Sequence, residues 1–255
     1  MSFLLLTVSV LPVILLMVFI YRQDKYEKEP IRLLVRAFIG GVIAIPLDLV
    51  LVTLVNSVFY SETVFHAAFI EAGFCEELSK FLLLFLFIWW NKNFNEYMDG
   101  IVYATFVGLG FACVENIMYV AQGGLGTGIV RAFLSVPGHF LFGVIMGYFF
   151  ALAKFSKNKR FVFLLLSLFT AAAGHGLFDW LLMVNDGIPN YLSAIFVVLF
   201  FAFDIWLWRT GVKYIRRLQE NSQFKNQDPL ESFTQISSSD EPEYKKIDWD
   251  AGNKF

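Results

Sequence analysis

Glu76-Glu77-Leu78-Ser79-Lys80 sets two carboxylates and an ammonium inside an apolar stretch, between Ala72-Gly73-Phe74-Cys75 and the run from Phe81 to Trp90. A charge at the centre of a bilayer costs about 2.5–3.5 kcal/mol on insertion-derived scales, so ionisable residues placed there are functional candidates. On a helix Glu76 and Lys80 stack on one face at i,i+4, with Glu77 about 100° round. Lys80 can neutralise one carboxylate and leave the other to share a proton, which supplies a general base and an acid in one site. A purely structural buried ion pair is the competing account of this motif.

Four more ionisable residues stand in three other apolar segments: Glu115, His139, His175 and Asp179. Glu115 is isolated among apolar neighbours, so its partner must come from another span. His175 and Asp179 are four apart and share a face, which lets the carboxylate orient the imidazole. Ala171 to Gly174 and Gly176 are small enough for a second backbone to approach. His139 precedes the small-residue pair Gly143 and Gly147 and reads equally as a helix–helix hydrogen bonder and as a supporting site residue. Counted inward from the outer ends of their spans at about 1.5 Å per residue, Glu76 and these four lie about 8–18 Å deep. They share a slab in the outer half of the membrane and could line one cavity. Asp48, Glu71 and Asp204 read as helix–helix hydrogen bonders, and Gly123 to Gly128 as an outer connecting loop.

The elements that must position these groups are transmembrane helices. The chain is 57% hydrophobic and 16% charged, against about 45–50% and 25% for soluble domains. Seven spans of near-sufficient length follow: Ser2–Tyr21, Leu33–Phe59, Val64–Trp90, Met98–Ala121, Ile129–Ala153, Phe161–Val184 and Tyr191–Trp208. Lys and Arg gather after the first, third, fifth and seventh, and the alternate connections hold none. The positive-inside rule then sets the N-terminus outside and the C-terminus in the cytoplasm. The fold class is an all-α polytopic bundle over residues 1–210, followed by a polar, disordered cytoplasmic tail over 211–255. Cys75 and Cys113 read as buried small hydrophobes, not a disulfide. No basic, aromatic-interleaved face suggests nucleic acid.

These residues resemble the PrsW family of glutamic-type intramembrane proteases, whose motifs EExxK, FxxxE and HxxxD read here as Glu76-Glu77-x-x-Lys80, Phe111-x-x-x-Glu115 and His175-x-x-x-Asp179. Asp24-x-Tyr26-x-x-Glu29-Pro30 and Asp99-Gly100-Ile101-Val102-Tyr103 also look like family sequence. The resemblance covers about residues 1–210. It implies cleavage of a membrane-anchored protein in a bacterial plasma membrane, typically an anti-sigma factor during envelope stress. The more distant CAAX prenyl endopeptidases carry His where Glu115 stands, so that histidine's role does not transfer.

The expected chemistry is peptide hydrolysis by carboxylate-activated water. Glu76 serves as base, Glu77 or Glu115 as a protonated partner, His175 (oriented by Asp179) as donor to the oxyanion, and Lys80 and His139 as support. No cofactor is expected. A Zn²⁺ version would draw on Glu76, Glu115, His139, His175 and Asp179. The alternative is a proton-coupled transporter or channel using the same acids and histidines, although no matching halves are visible.

Overall fold

The computed structural model describes residues 2–184 and 189–225. Among them every regular element is helical: α1 (Phe3–Gln23), α2 (Ile31–Phe59), a π-helix (His66–Glu76) running into α3 (Glu77–Ile88), α4 (Tyr97–Phe133), α5 (Ser135–Phe155), α6 (Arg160–Met183) and α7 (Asn190–Glu220). The all-α expectation holds. Five helical stretches are long and apolar enough to cross a membrane, one of them the continuous Tyr97–Phe155 that contains both α4 and α5. The expected third span is helical but changes from π to α at Glu76/Glu77, and it is not among those five. The disorder expected for the tail falls on residues 226–255, outside the described ones, whereas 211–220 belong to α7 and are helical.

α4 is the axis of the bundle and meets α1, α2, α3, α5 and α7. Every residue from Met98 to Cys113 is buried, so this helix is enclosed on all faces. The outer helices behave oppositely. Leu54, Phe161 and Val198 are 58%, 72% and 67% exposed, and this apolar surface suits lipid rather than water. Close approach of α2 and α4 depends on missing side chains: a Cβ on Gly110 would lie 2.1 Å from the Phe38 carbonyl oxygen, and one on Gly41 2.0 Å from that of Val107. Small residues at helix contacts are how bundles in lipid, where hydrophobic burial gains little, obtain packing energy.

The expected loop over Gly123–Gly128 is a correction. α4 continues to Phe133, interrupted only at Gly124, whose φ of 73° and ψ of −160° suit glycine alone. Glycine richness suggested a flexible connector; the glycines instead permit one sharp bend between two helical pieces.

At the opposite end of α4, the segments around Asp24 and Asp99 meet. Tyr103 donates its hydroxyl proton to Glu29, Asp99 accepts from the backbone N–H groups of Asn95 (2.9 Å) and Glu96 (2.7 Å), and Glu96 completes a reciprocal capping box. Asp24, Glu29 and Glu96 are almost fully buried. Burial pushes Asp24 up to about 6 and Glu29 and Glu96 up to about 7, from ordinary values near 4. These carboxyls hold their protons more tightly folded than unfolded, so their contribution is complete below about pH 4 and is lost as pH rises through 6 to 7. The unfolding temperature of the purified protein is therefore expected to fall between pH 5 and 8. The double change Glu29→Gln, Glu96→Gln should flatten that slope, and a slope that survives it would assign the effect elsewhere.

Candidate active site

The π-helix sits against α6 through Gly73, where a Cβ would lie 2.7 Å from the Ala172 carbonyl oxygen and 3.0 Å from the Gly176 Cα. That contact brings the paired acids beside His175. Long π-helices are rare and concentrate at functional sites. Here the π-to-α change falls between Glu76 and Glu77.

Lys80 Nζ donates to Glu76 Oε2 at 3.0 Å and to Glu77 Oε1 at 2.8 Å, and it lies 3.2 Å from His139 Nδ1. An ammonium has only protons to offer. His139 Nδ1 therefore accepts, and its Nε2–H donates to Glu115 Oε2 at 2.7 Å. Glu115 also faces the Arg131 guanidinium at 2.9 Å. His175 Nδ1 meets Glu77 Oε1 at 2.9 Å, and its Nε2 lies 3.5 Å from Asp179 Oδ2. The imidazole stacks on Phe142, ring centroids 4.6 Å apart, and stands edge-on to His139 at 5.1 Å. The Lys80 ammonium rests over the Phe111 ring at 4.0 Å, so the aromatic of the Phe111-x-x-x-Glu115 motif supports it from the next helix.

All seven residues singled out from sequence thus converge: Glu76, Glu77, Lys80, Glu115, His139, His175 and Asp179. A cavity of about 430 Å³ opens onto Glu76, Glu115, His139, His175 and Asp179. Glu77 and Lys80 are not on its wall, and both are buried behind it. His139 bridges Lys80 and Glu115 from a third helix, in line with its reading as a helix–helix hydrogen bonder beside the site. Two expectations change in detail. The shorter partner of His175 is Glu77, not Asp179. Glu77 lies against Lys80 and His175, and Glu115 against His139 and Arg131, so both acids expected as protonated partners are instead surrounded by cationic or imidazole groups.

Arg131 was missed. It lies beyond the Gly124 bend, and only the reversal there returns it to Glu115; Asn116 holds its Nε at 3.0 Å, and Tyr119 lies under the guanidinium at 4.2 Å. Its isolation as the lone Lys or Arg near that side of the membrane was the available signal. Asp48 also lines the cavity but makes no helix–helix hydrogen bond among the described residues, whereas Glu71 does, accepting from Asn56 at 2.6 Å. Cys75 and Cys113 are buried free thiols, as expected.

For a metal the donor chemistry is suitable. Glu76, Glu77, His139 and His175 offer four ligand atoms within 4.8 Å of one another, the carboxylate and imidazole mixture that zinc accepts. This set has Glu77 in place of the expected Glu115 and Asp179. Lys80 Nζ already engages three of the four, so a metal and this ammonium would compete for the same lone pairs.

An integral membrane helix bundle built round a buried carboxylate–imidazole centre is what fold and site together define. Residues 29–206 match the model of the family described as PrsW family intramembrane metalloprotease. The chain is 35% identical over 201 residues to Protease PrsW of Geobacillus kaustophilus, covering 78% of this chain and 89% of that protein. It is 33% identical to Protease PrsW of Bacillus subtilis over 221 residues (84% and 95%) and 33% identical to that of Clostridioides difficile over 227 residues (84% and 91%). No solved structure matches the chain. The chain belongs to the PrsW family.

Proposed function

We propose that this protein is an intramembrane endopeptidase that cleaves a membrane-anchored protein by carboxylate-activated water. The observation that carries this reading is the asymmetry of the paired acids. Glu76 opens onto the cavity, while its neighbour Glu77 is buried behind it and held by Lys80 and His175. A general base must reach its water; its companion need only hold the surrounding groups in place.

In this reading Glu76 takes a proton from water as the oxygen attacks the scissile carbonyl, and it then delivers that proton to the leaving amine. His175, with a carboxylate against each ring nitrogen, is set up to donate from Nε2 to the developing oxyanion. Glu77 fixes that ring and Asp179 flanks it. Glu115 and Arg131 hold His139, which in turn holds Lys80 against the acids. If a metal is bound, Glu76, Glu77, His139 and His175 would hold it once Lys80 swings aside. The metal would supply a more acidic water and a Lewis acid for the carbonyl.

The distribution of Lys and Arg supports an N-terminus outside and a C-terminus in the cytoplasm, which sets the cavity in the outer half of the membrane. The relatives are bacterial, which favours the plasma membrane. The resemblance favours an anti-sigma-factor-like substrate. The reading is tested by reconstituting purified protein in liposomes with a panel of single-span membrane proteins and looking for paired fragments by mass. At least one substrate is expected to be cut. Cleavage that survives exhaustive chelation favours the metal-free version, and loss restored by Zn²⁺ favours the metal version. A panel left intact by well-folded protein would contradict the protease reading.

A further inference from the structure

Five acids line the cavity, and four of them have partners. Glu71 bonds Asn56 (2.6 Å), Glu76 bonds Lys80 (3.0 Å), Glu115 bonds His139 (2.7 Å), and Asp179 faces His175 (3.5 Å). The fifth, Asp48 on α2, has no hydrogen bond or ion pair among the described residues, and its Oδ1 is buried without a partner. An unpaired carboxylate in a desolvated setting is costly, and the cost is recovered when a ligand brings the missing donor.

We propose that Asp48 is the specificity-determining residue of a subsite that takes a basic side chain, Arg or Lys, of the polypeptide bound in the cavity. The identity of that polypeptide as substrate rests on the protease reading; the subsite itself rests on Asp48 and its surroundings. Val52, one helical turn on, together with Ala67 and Ala72 of the facing π-helix, lines the same cavity. This small apolar wall leaves room for the methylene stem of a long cationic side chain, with its head against the carboxylate. A guanidinium suits the site better than an ammonium, because its planar fork meets both carboxylate oxygens. The cavity's own cation cannot fill the role, since Arg131 is already held by Glu115 and Asn116.

The direct test is binding of n-butylguanidinium to the purified full-length protein in detergent, followed by calorimetry. Saturable binding is expected, weakened on the order of tenfold or more by Asp48→Asn and unchanged by Asp204→Asn, an acid outside the cavity lining. Equal binding by wild type and Asp48→Asn would overturn the proposal. A second readout uses any substrate found to be cut. Replacing its basic residue near the cleaved bond by Glu should raise KM for the wild type, and Asp48→Lys should reverse that preference; indifference to both changes would also overturn it. Guanidinium binding that depends on Asp48 in a protein that cuts nothing would leave the subsite standing and the protease reading fallen. Cleavage with Asp48-independent binding would do the reverse.

Discussion

Glu76→Gln is expected to lower cleavage of a co-reconstituted membrane substrate by about 10²–10⁴-fold, the range for removing a general base, with folded protein recovered at wild-type yield. Glutamine keeps the shape and can still accept from Lys80 at the 3.0 Å contact, so the bundle has no reason to open. It cannot take a proton from water. Glu77→Gln should also lower activity, but by a different route. Glu77 Oε1 is shared by Lys80 and His175, so losing its charge loosens the imidazole and leaves the buried ammonium with Glu76 as its one remaining carboxylate partner among the described residues. That variant should therefore lose thermal stability as well as rate, whereas Glu76→Gln should lose rate alone. Were Glu76→Gln to retain full activity, the base would have to be another group on the cavity wall.

The second large effect is structural. Gly110→Ala puts a methyl 2.1 Å from the Phe38 carbonyl oxygen, backbone that cannot step aside without moving α2. Overpacking a core costs about 1–3 kcal/mol where side chains can adjust, and this contact offers no such freedom, so the loss should reach or exceed the top of that range. Gly126→Ala is the matched control, because a Cβ there meets nothing within 4 Å. Alanine's better helix propensity should leave that variant neutral or more stable by up to about 1 kcal/mol. Thermal unfolding in detergent, followed by size-exclusion profiles, separates the two. Equal unfolding temperatures for Gly110→Ala and wild type would show that α2 and α4 do not cross as closely as described.

What the sequence made legible follows from local geometry. The Glu76–Lys80 contact is an i,i+4 pair, and the pairing of His175 with Asp179 is another, so helical spacing alone predicts both. That Glu115 needs a partner from another helix is also readable from its isolation. Which helix supplies it is not, because the answer depends on α5 lying beside α4 and on the bend at Gly124 that returns Arg131. The π-helix was hidden for a related reason. His66 to Glu76 is apolar on most faces, so a hydrophobic repeat that would separate π from α spacing is absent. The same uniformity explains Asp48: with lipid-facing and cavity-facing residues equally apolar around it, nothing in the chain tells which way its carboxylate points.

The convergence of these side chains on one centre can be measured without any substrate. The protein has three histidines, His66, His139 and His175. With ring-¹⁵N histidine and carboxyl-¹³C glutamate incorporated, solid-state recoupling should give strong dephasing for His139 from Glu115, in contact at 2.7 Å, and for His175 from Glu77, in contact at 2.9 Å. Glu115→Gln, which places an unlabelled residue there, should sharply weaken the first signal, and Glu77→Gln the second, leaving at His175 the smaller contribution of Glu76 at 3.9 Å. Absence of dephasing at both rings in the folded protein would mean that α4, α5, α6 and the start of α3 do not meet at these residues, and the proposed hydrolytic centre would not exist.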